Sequence, residues 1–381
     1  MIKNSLLVLS ILCLTLSCSV GQSSREGTPV SADSIRYAEG FTVERFENYT
    51  QVEVKNPWDS TRLLQRYLLI DREKQLPANL PKGTIVRIPV RRMVVYTSVH
   101  VAVVDRLHAI NDVVGVCEPQ YMQSIRSVVD GLDSGRIVNM GEAMNPNVER
   151  MIDAEPEVIL VSPFEHTGYG SVEKLGIPLI ECADYMESSP LGRAEWIRFI
   201  ALFVDRDSLA NELFAETEKK YLEVKALAAQ AKNRPTVFTE RKYGATWYVP
   251  TGESYLANFL QDAGADYIFK ELPGKGSTPM DFEAVFDQAI HADYWLMKYN
   301  LAADMTYQQL ASEYEPYRNF DAYKNRKVYG CNTATAPYYE ETPMNPEFLL
   351  EDMVAIFHPE LMPDYCMRYY REIGDRKEIG G

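Results

Sequence analysis

The sequence predicts an α/β protein of two lobes joined by one long helix, behind a β-rich N-terminal extension. Three observations predict it. From Met93 onward, all-apolar strand-like runs alternate with helical stretches, the grammar of covered parallel sheets. One uninterrupted helical pattern over 207–232 stands between two such regions. Two stretches also read as copies of one another. One is Met144-Asn-Pro-Asn-Val-Glu149-Arg-Met-Ile-Asp-Ala-Glu-Pro-Glu-Val-Ile-Leu160. The other is Pro279-Met-Asp-Phe-Glu283-Ala-Val-Phe-Asp-Gln-Ala-Ile-His-Ala-Asp-Tyr-Trp-Leu296. Each places a lone Glu in a short helix, then an acid, then an apolar strand. The two glutamates lie a domain's length apart, as one matching contact point per lobe requires. The alternative is that helix-then-strand units recur in any α/β protein.

The front of the chain is read apart from the fold. Lys3 supplies a positive charge, and Leu6–Leu16 is an apolar run too short to span a bilayer. Thr15-Leu16-Ser17-Cys18 resembles a bacterial lipoprotein cleavage box, although the two positions before Ser17 depart from its usual pattern. Residues 1–17 are expected to be a signal peptide, Cys18 the lipidated N-terminus, and 18–34, polar and small, a flexible tether. An ordinary signal peptide with a chance Cys is the alternative. The expected place is outside the cytoplasmic membrane, periplasm-facing in a Gram-negative source, with the membrane touched by the lipid anchor alone. The formal charge of −15 argues against nucleic acid as a partner. Of the six cysteines, Cys117, Cys182, Cys331 and Cys366 fall in the folded part, and none forms a CxxC pair. Cys117 and Cys182 each follow a strand-like run, which leaves both a disulfide and buried thiols open.

Residues 35–90 alternate polar and apolar and are punctuated by Pro57, Pro77, Pro81 and Gly83, the pattern of an antiparallel β extension packed on the first lobe. The first lobe, 91–205, takes strands at Met93–Tyr96, Val113–Cys117, Val158–Val161 and Pro178–Glu181, with helices at His100–Ala109, Val148–Asp153, Val172–Leu175 and Pro190–Phe203. The interlobe segment, 206–234, holds the long helix. Its stripe is Leu209, Leu213, Thr217, Tyr221, Val224, Leu227 and Ala231, its start is capped by Asp205 or Asp207, and Pro235 stops it. At 1.5 Å per residue it reaches about 39 Å, enough for a strut. The second lobe, 235–381, adds strands at Pro235–Glu240, Tyr294–Met297 and Lys327–Cys331, with helices at Tyr255–Ala263 and Pro346–Phe357.

In order and spacing the chain resembles the substrate-binding proteins of ABC importers for ferric siderophores, haem and cobalamin, the periplasmic binding proteins of the helical-backbone type. The residues that carry the resemblance include Arg92-Met-Val-Val-Tyr-Thr-Ser, Asn111-Asp-Val-Val-Gly-Val-Cys, Asn147-Val-Glu-Arg, Val249-Pro-Thr-Gly-Glu-Ser-Tyr-Leu, Lys324-Asn-Arg-Lys-Val-Tyr and Phe357-His-Pro-Glu-Leu. The resemblance implies two Rossmann-like lobes joined by one long rigid helix, with the N-terminal β-rich extension as an elaboration. It implies capture of a metal chelate between the lobes, no chemistry, no resident cofactor and no metal bound directly by the protein. It implies a monomer that docks on an ABC permease dimer through Glu149 and Glu283, away from the cleft loops.

Ligands of α/β lobes bind beyond the C-terminal ends of the strands, and that rule selects the candidate loops. They offer His100, Tyr121, Phe164, His166, Arg241, Tyr243, Trp247 and Tyr338 as ligand-binding residues. Aromatic rings give a flat chelate rigid faces. Arg241 and Lys242 would meet the negative charge of a ferric chelate, which makes an iron chelate (ferric siderophore or haem) the first expectation and cobalamin the second. Trp247 also reads as a core residue, Arg241 as a surface charge, and the two histidines as loop residues. An extracytoplasmic enzyme is the rival class, with Glu118 or Glu165-His166 as acid–base groups. No GxSxG, P-loop or GxGxxG motif accompanies them.

Overall fold

The structure is a computed structural model and describes residues 29–374. Residues 1–28, which hold the expected signal peptide and Cys18, and residues 375–381 lie outside the described residues. The extension forms a sheet of five strands, Ser31–Ala32, Phe41–Arg45, Thr50–Lys55, Leu63–Asp71 and Thr84–Ile88, paired in that order, and the expected tether over 18–34 is corrected at its end, because Ser31 and Ala32 pair with Arg45 and Glu44. Three pairings are antiparallel and the last is parallel, so the expected all-antiparallel reading is corrected at its final strand. Pro77, Pro81 and Gly83 fall in the crossover between Asp71 and Thr84, which has the roughly dozen residues that a parallel return demands. Phe41, Val52 and Tyr67 share one core with Trp196, Phe199 and Phe203 of the helix Pro190–Val204. The Tyr67 hydroxyl donates to the Leu179 carbonyl and accepts the Glu181 N–H, tying the extension to the edge of the first lobe.

Two buried carboxylates hold the segment 36–40. Glu195 accepts the backbone N–H groups of Arg36, Tyr37 and Ala38, and Glu187 accepts those of Glu39 and Gly40. The Tyr37 hydroxyl donates to Glu218 of the long helix (2.5 Å), and Glu39 pairs with Lys275 of the second lobe (3.1 Å). The extension is therefore strapped to both lobes.

The two lobes share one arrangement of four parallel strands and differ in the fifth. In the first, the sheet order is Leu179–Glu181, Val158–Val161, Met93–Val95, Val113–Val116, Val138–Asn139, all parallel. In the second it is Asp266–Tyr267, Thr236–Thr239, Tyr294–Tyr299, Val328–Asn332, Tyr370–Glu372, parallel except at the last strand. In each lobe the earliest strand has the next strand on one side. On its other side lies the strand that follows the short Glu-bearing helix.

The strut helix runs Asp207–Ala228, 22 residues, or about 33 Å. It is shorter than expected because 229–234 has no buried residue to hold another turn in place. Its buried stripe is Ala210, Phe214, Thr217, Tyr221, Val224 and Ala228, one residue round from the expected Leu209 and Leu213. Ala210 and Phe214 belong to the first lobe's core, and Tyr221, Val224 and Ala228 to the second's. Neither Asp205 nor Asp207 caps it. Asp205 ends the preceding helix in the left-handed conformation (φ 57°), Arg206 takes the cap position without a side-chain bond, and Asp207 pairs with Arg45. The cysteines at 117, 182, 331 and 366 are free. Cys117 and Cys182 belong to different core clusters.

Candidate functional site: a cleft between the lobes

The loops after four parallel strands converge on a cavity of about 660 Å³. The first lobe contributes Tyr96–Val99, after Met93–Val95, and Glu118–Ser124, after Val113–Val116. The second contributes Asn300, after Tyr294–Tyr299, and the segment 333–340, after Val328–Asn332. Every contribution comes from a strand's C-terminal end, where the free strand ends of two facing sheets leave a crevice. Tyr121 and Tyr339 present half-exposed rings, 60% and 49% accessible. Hydroxyls and amides of Thr97, Ser98, Gln120, Asn300 and Thr333 supply the neutral polar lining. Among the described residues its charged lining is Glu118 and Glu340. Burial raises the Glu340 carboxyl above its ordinary value, against a bond from Ser98 that lowers it.

A smaller chamber of about 280 Å³ lies beside the cleft, and Tyr339 lines both. Its polar walls are Arg193, Lys298, Glu240, Lys275 and the helix start at Ser254. Arg193 Nε donates to Asp184 Oδ2 (3.0 Å), and Asp184 Oδ1 lies 2.8 Å from His100 Nε2. Burial alone would raise the Asp184 carboxyl. Arg193 and His100 overcome it and hold the group at about 2. Lys298 is ion-paired to Glu240, which keeps the ammonium charged although burial opposes it.

This two-lobed architecture, with the cleft between the lobes, has known counterparts. The family described as periplasmic binding protein matches residues 96–335, from the first cleft loop to the last. The chain belongs to the periplasmic binding protein family. An uncharacterized lipoprotein of Methanocaldococcus jannaschii is 28% identical over 315 residues, 78% of this chain and 73% of its own length. A second lipoprotein of that organism is 23% identical over 93% of this chain and 90% of its own. Solved structures share the fold at low identity. A "possible" iron-binding (periplasmic solute-binding) protein of Staphylococcus epidermidis has a TM-score of 0.56 at 17% identity, covering 71% of this chain and 99% of its own. An ABC-type Fe3+-hydroxamate transport protein of Saccharomonospora viridis has 0.55 at 17%, covering 71% and 94%. The family and the fold are those of solute-binding proteins of ABC importers.

Within this periplasmic binding protein the sequence-derived candidates separate. Tyr121 lines the main cleft and Tyr338 the side chamber. Phe164 lines a pocket of about 50 Å³ with Met144 and Tyr169, adjoining Tyr96 and Thr97. His100 does not reach the cleft, since it is buried behind it on Asp184. His166 is exposed beside Glu165 and lines none of these cavities. Arg241 is ion-paired to Glu313 at 2.7 Å, and the Lys242 ammonium lies 3.9 Å from the centre of the Tyr314 ring, so neither supplies the cleft with charge. Tyr243 stands 83% exposed in a two-residue strand beside the turn at Gly244. Trp247 is core: fully buried, stacked on Trp295, with Nε1 donating to the Thr239 carbonyl (3.0 Å). Sequence reasoning missed Asn300, Glu340, Arg193 and Lys298. Lys298 carried a signal, as a lysine inside the apolar strand Tyr-Trp-Leu-Met-Lys-Tyr. Arg193, on the helix Pro190–Val204, carried none.

Glu149 and Glu283 are exposed, and each is the second residue of its helix. The caps match as well: Asn147 accepts the Arg150 N–H (2.9 Å) and Asp281 the Ala284 N–H (2.8 Å). A helix leading into a parallel strand runs against it, so its first turn sits at the end where the strands finish. Both glutamates thus lie at the cleft end of their lobes without lining the cleft, closer to its mouth than expected.

Proposed function

We propose that this chain is the lipid-anchored solute-binding protein of an ABC importer, capturing an organic metal chelate in the interlobe cleft and handing it to a two-fold permease. The observation that carries the reading is the 660 Å³ cavity built from strand ends of both lobes, aromatic and polar in lining. Its volume suits a ligand of several hundred daltons, far larger than a bare ion. A ferric chelate of low net charge is the first choice. The cations once expected in the cleft are engaged elsewhere, and two carboxylates line it instead, which disfavours a strongly anionic chelate there. The iron centre of a ferric trihydroxamate is uncharged, and the Fe3+-hydroxamate protein among the structural neighbours is in keeping with such a chelate. Cobalamin is the second reading, favoured by the size of the cleft and by the same lining. The lipoprotein relatives support Cys18 as the anchor. Glu149 and Glu283, as matched exposed carboxylates, would meet basic groups of the permease.

The test is calorimetric titration of the purified protein with ferrioxamine B, haem and cyanocobalamin. A micromolar or tighter dissociation constant for one of them is the expected result. No binding to any, with the protein shown to be folded, would overturn the metal-chelate reading.

A further inference from the structure

Charge is divided unequally along the cleft. The main cavity has Glu118 and Glu340 in its wall, whereas the side chamber has Arg193, Lys275 and Lys298 in its wall, each ion-paired to one carboxylate, Asp184, Glu39 and Glu240 in turn. These cations come from separate parts of the chain: the helix Pro190–Val204, the segment before Ser277–Met280, and the strand Tyr294–Tyr299. Arg193 and Lys298 are largely buried, and one carboxylate partner fixes each. Those partners use only part of their donor capacity, since guanidinium carries five N–H groups and ammonium three. The Arg193 guanidinium is stacked on Tyr255, 5.3 Å from the ring centre. The buried Tyr255 hydroxyl faces the same guanidinium. Ser254, also in the wall, caps the helix Tyr255–Asp262, so the positive end of that helix dipole opens on the chamber. A planar fork, an ammonium and a helix N-terminus around a small space are the equipment for a carboxylate or a phosphate.

We infer that the side chamber is an anion subsite, and that the transported chelate carries an acidic arm seated between Arg193 and Lys298. Its metal-bearing body, of low net charge, fills the main cleft. The inference rests on the chelate-capture reading and narrows it to ligands with a charge-segregated shape. The pairs Arg193–Asp184 and Lys298–Glu240 hold the subsite in shape before the ligand arrives, so binding an arm orders little new.

The experiment uses the full chain and two probe pairs that differ chiefly in the arm. N-acetyl- and N-succinyl-ferrioxamine B differ by a carboxylate, and cobinamide and cobalamin by a phosphate-linked arm. Calorimetry is expected to show a preference of about tenfold or more for the armed member of at least one pair, as a charge-assisted bond to a buried cation provides. The pair that shows it distinguishes carboxylate from phosphate. Glu240→Gln/Lys298→Met removes both charges while keeping the strand filled, and is expected to lower the armed member's affinity far more than the arm-less one's. Lys275→Ala, at an exposed position that does not endanger the fold, is expected to give a smaller loss with the same selectivity. Equal affinity within both pairs for the wild-type chain overturns the subsite alone. Equal losses for armed and arm-less probes in the variants also overturn it. Failure of all four probes to bind overturns the subsite, and failure of haem to bind as well overturns the chelate reading with it.

Discussion

Trp247 decides between a ring that belongs to the ligand and a ring that belongs to the fold. Its indole is fully buried within a group of rings, with Phe238, Trp295, Tyr317 and Phe320 at centroid separations of 6.1, 5.9, 5.9 and 6.2 Å. Trp247→Ala would open a cavity among these rings, at about 3–5 kcal/mol for such a truncation. It would also strip the Thr239 carbonyl of the bond from Nε1, roughly 1 kcal/mol more. The sum is a large share of the roughly 5–15 kcal/mol that holds a typical domain together. Trp247→Phe keeps most of the volume and is expected to cost about 2 kcal/mol. Urea denaturation measures both variants, and calorimetry with a bound chelate measures whether the folded fraction still binds. The expected outcome is strong destabilisation by Ala, mild destabilisation by Phe, and a dissociation constant for Trp247→Phe within about twofold of wild type. A Trp247→Ala protein as stable as wild type but tenfold weaker in binding would refute the placement of this ring in the core.

Two further outcomes follow from the same geometry. Glu149→Lys/Glu283→Lys is expected to leave chelate affinity unchanged and to abolish uptake in reconstituted vesicles, because like charges at an interface cost several kcal/mol; normal uptake by the double variant would remove both residues from docking. Glu347 is 2% exposed with one carboxylate oxygen unpartnered, and burial pushes its carboxyl up to about 7 against the pull of Lys220 and Arg106. The folded state therefore holds this proton where the unfolded chain has lost it. The stabilisation is complete below the ordinary carboxylate range and is lost as pH rises through about 7, on the order of 2 kcal/mol between pH 5 and 8. Glu347→Gln is expected to flatten that part of the pH profile in urea melts, and an unchanged profile would count against the buried proton.

The fold was legible in the sequence because its elements are written locally. Val158–Val161 is an apolar run between Pro156 and Pro163, and Pro346–Phe357 starts with a proline at its first turn, so both were placed at their observed limits. Three of the cleft's loops, at 96–99, 118–124 and 333–340, were legible too, since strand order and the strand-end rule choose loops without knowledge of side chains, whereas the loop at Asn300 was not, and the expected loops 163–166 and 240–248 do not line the main cavity. Which side chain in a loop faces the cavity was not legible, because distant partners decide it. Arg241 is taken up by Glu313, 72 positions later, and His100 by Asp184, 84 positions later. Trp247 alternates with Tyr248 along one strand, and only the packing of Phe320 and Trp295 determines which of the two points inward. The long helix shows the same limit on a finer scale. Its 3–4 periodicity was visible and Thr217, Tyr221 and Val224 were placed on the buried face, but at the two ends leucines were preferred to Ala210 and Ala228, which are buried though small and weakly apolar.

The internal repeat now has a structural content that the bare sequence lacked. The two lobes share the placement of the first strand between the second and the strand after the Glu-bearing helix, and they share the cap chemistry of that helix. They do not share the residues that line the cleft. One lobe brings Glu118 and Tyr121 on the loop after its second strand, and the other brings Asn300 and the segment 333–340 after later strands. The side chamber draws its lysines and Glu240 from the second lobe and Arg193 from the helix before the strut. Duplication is thus kept on the exposed surface near the cleft's mouth and abandoned inside the cleft. A two-fold partner on the outside requires paired, equivalent contacts. An asymmetric ligand inside requires the opposite, because equivalent side chains from both lobes would present equal charge to its two ends. The division of carboxylates and cations between the two chambers is the departure from symmetry that a chelate with one acidic arm would select.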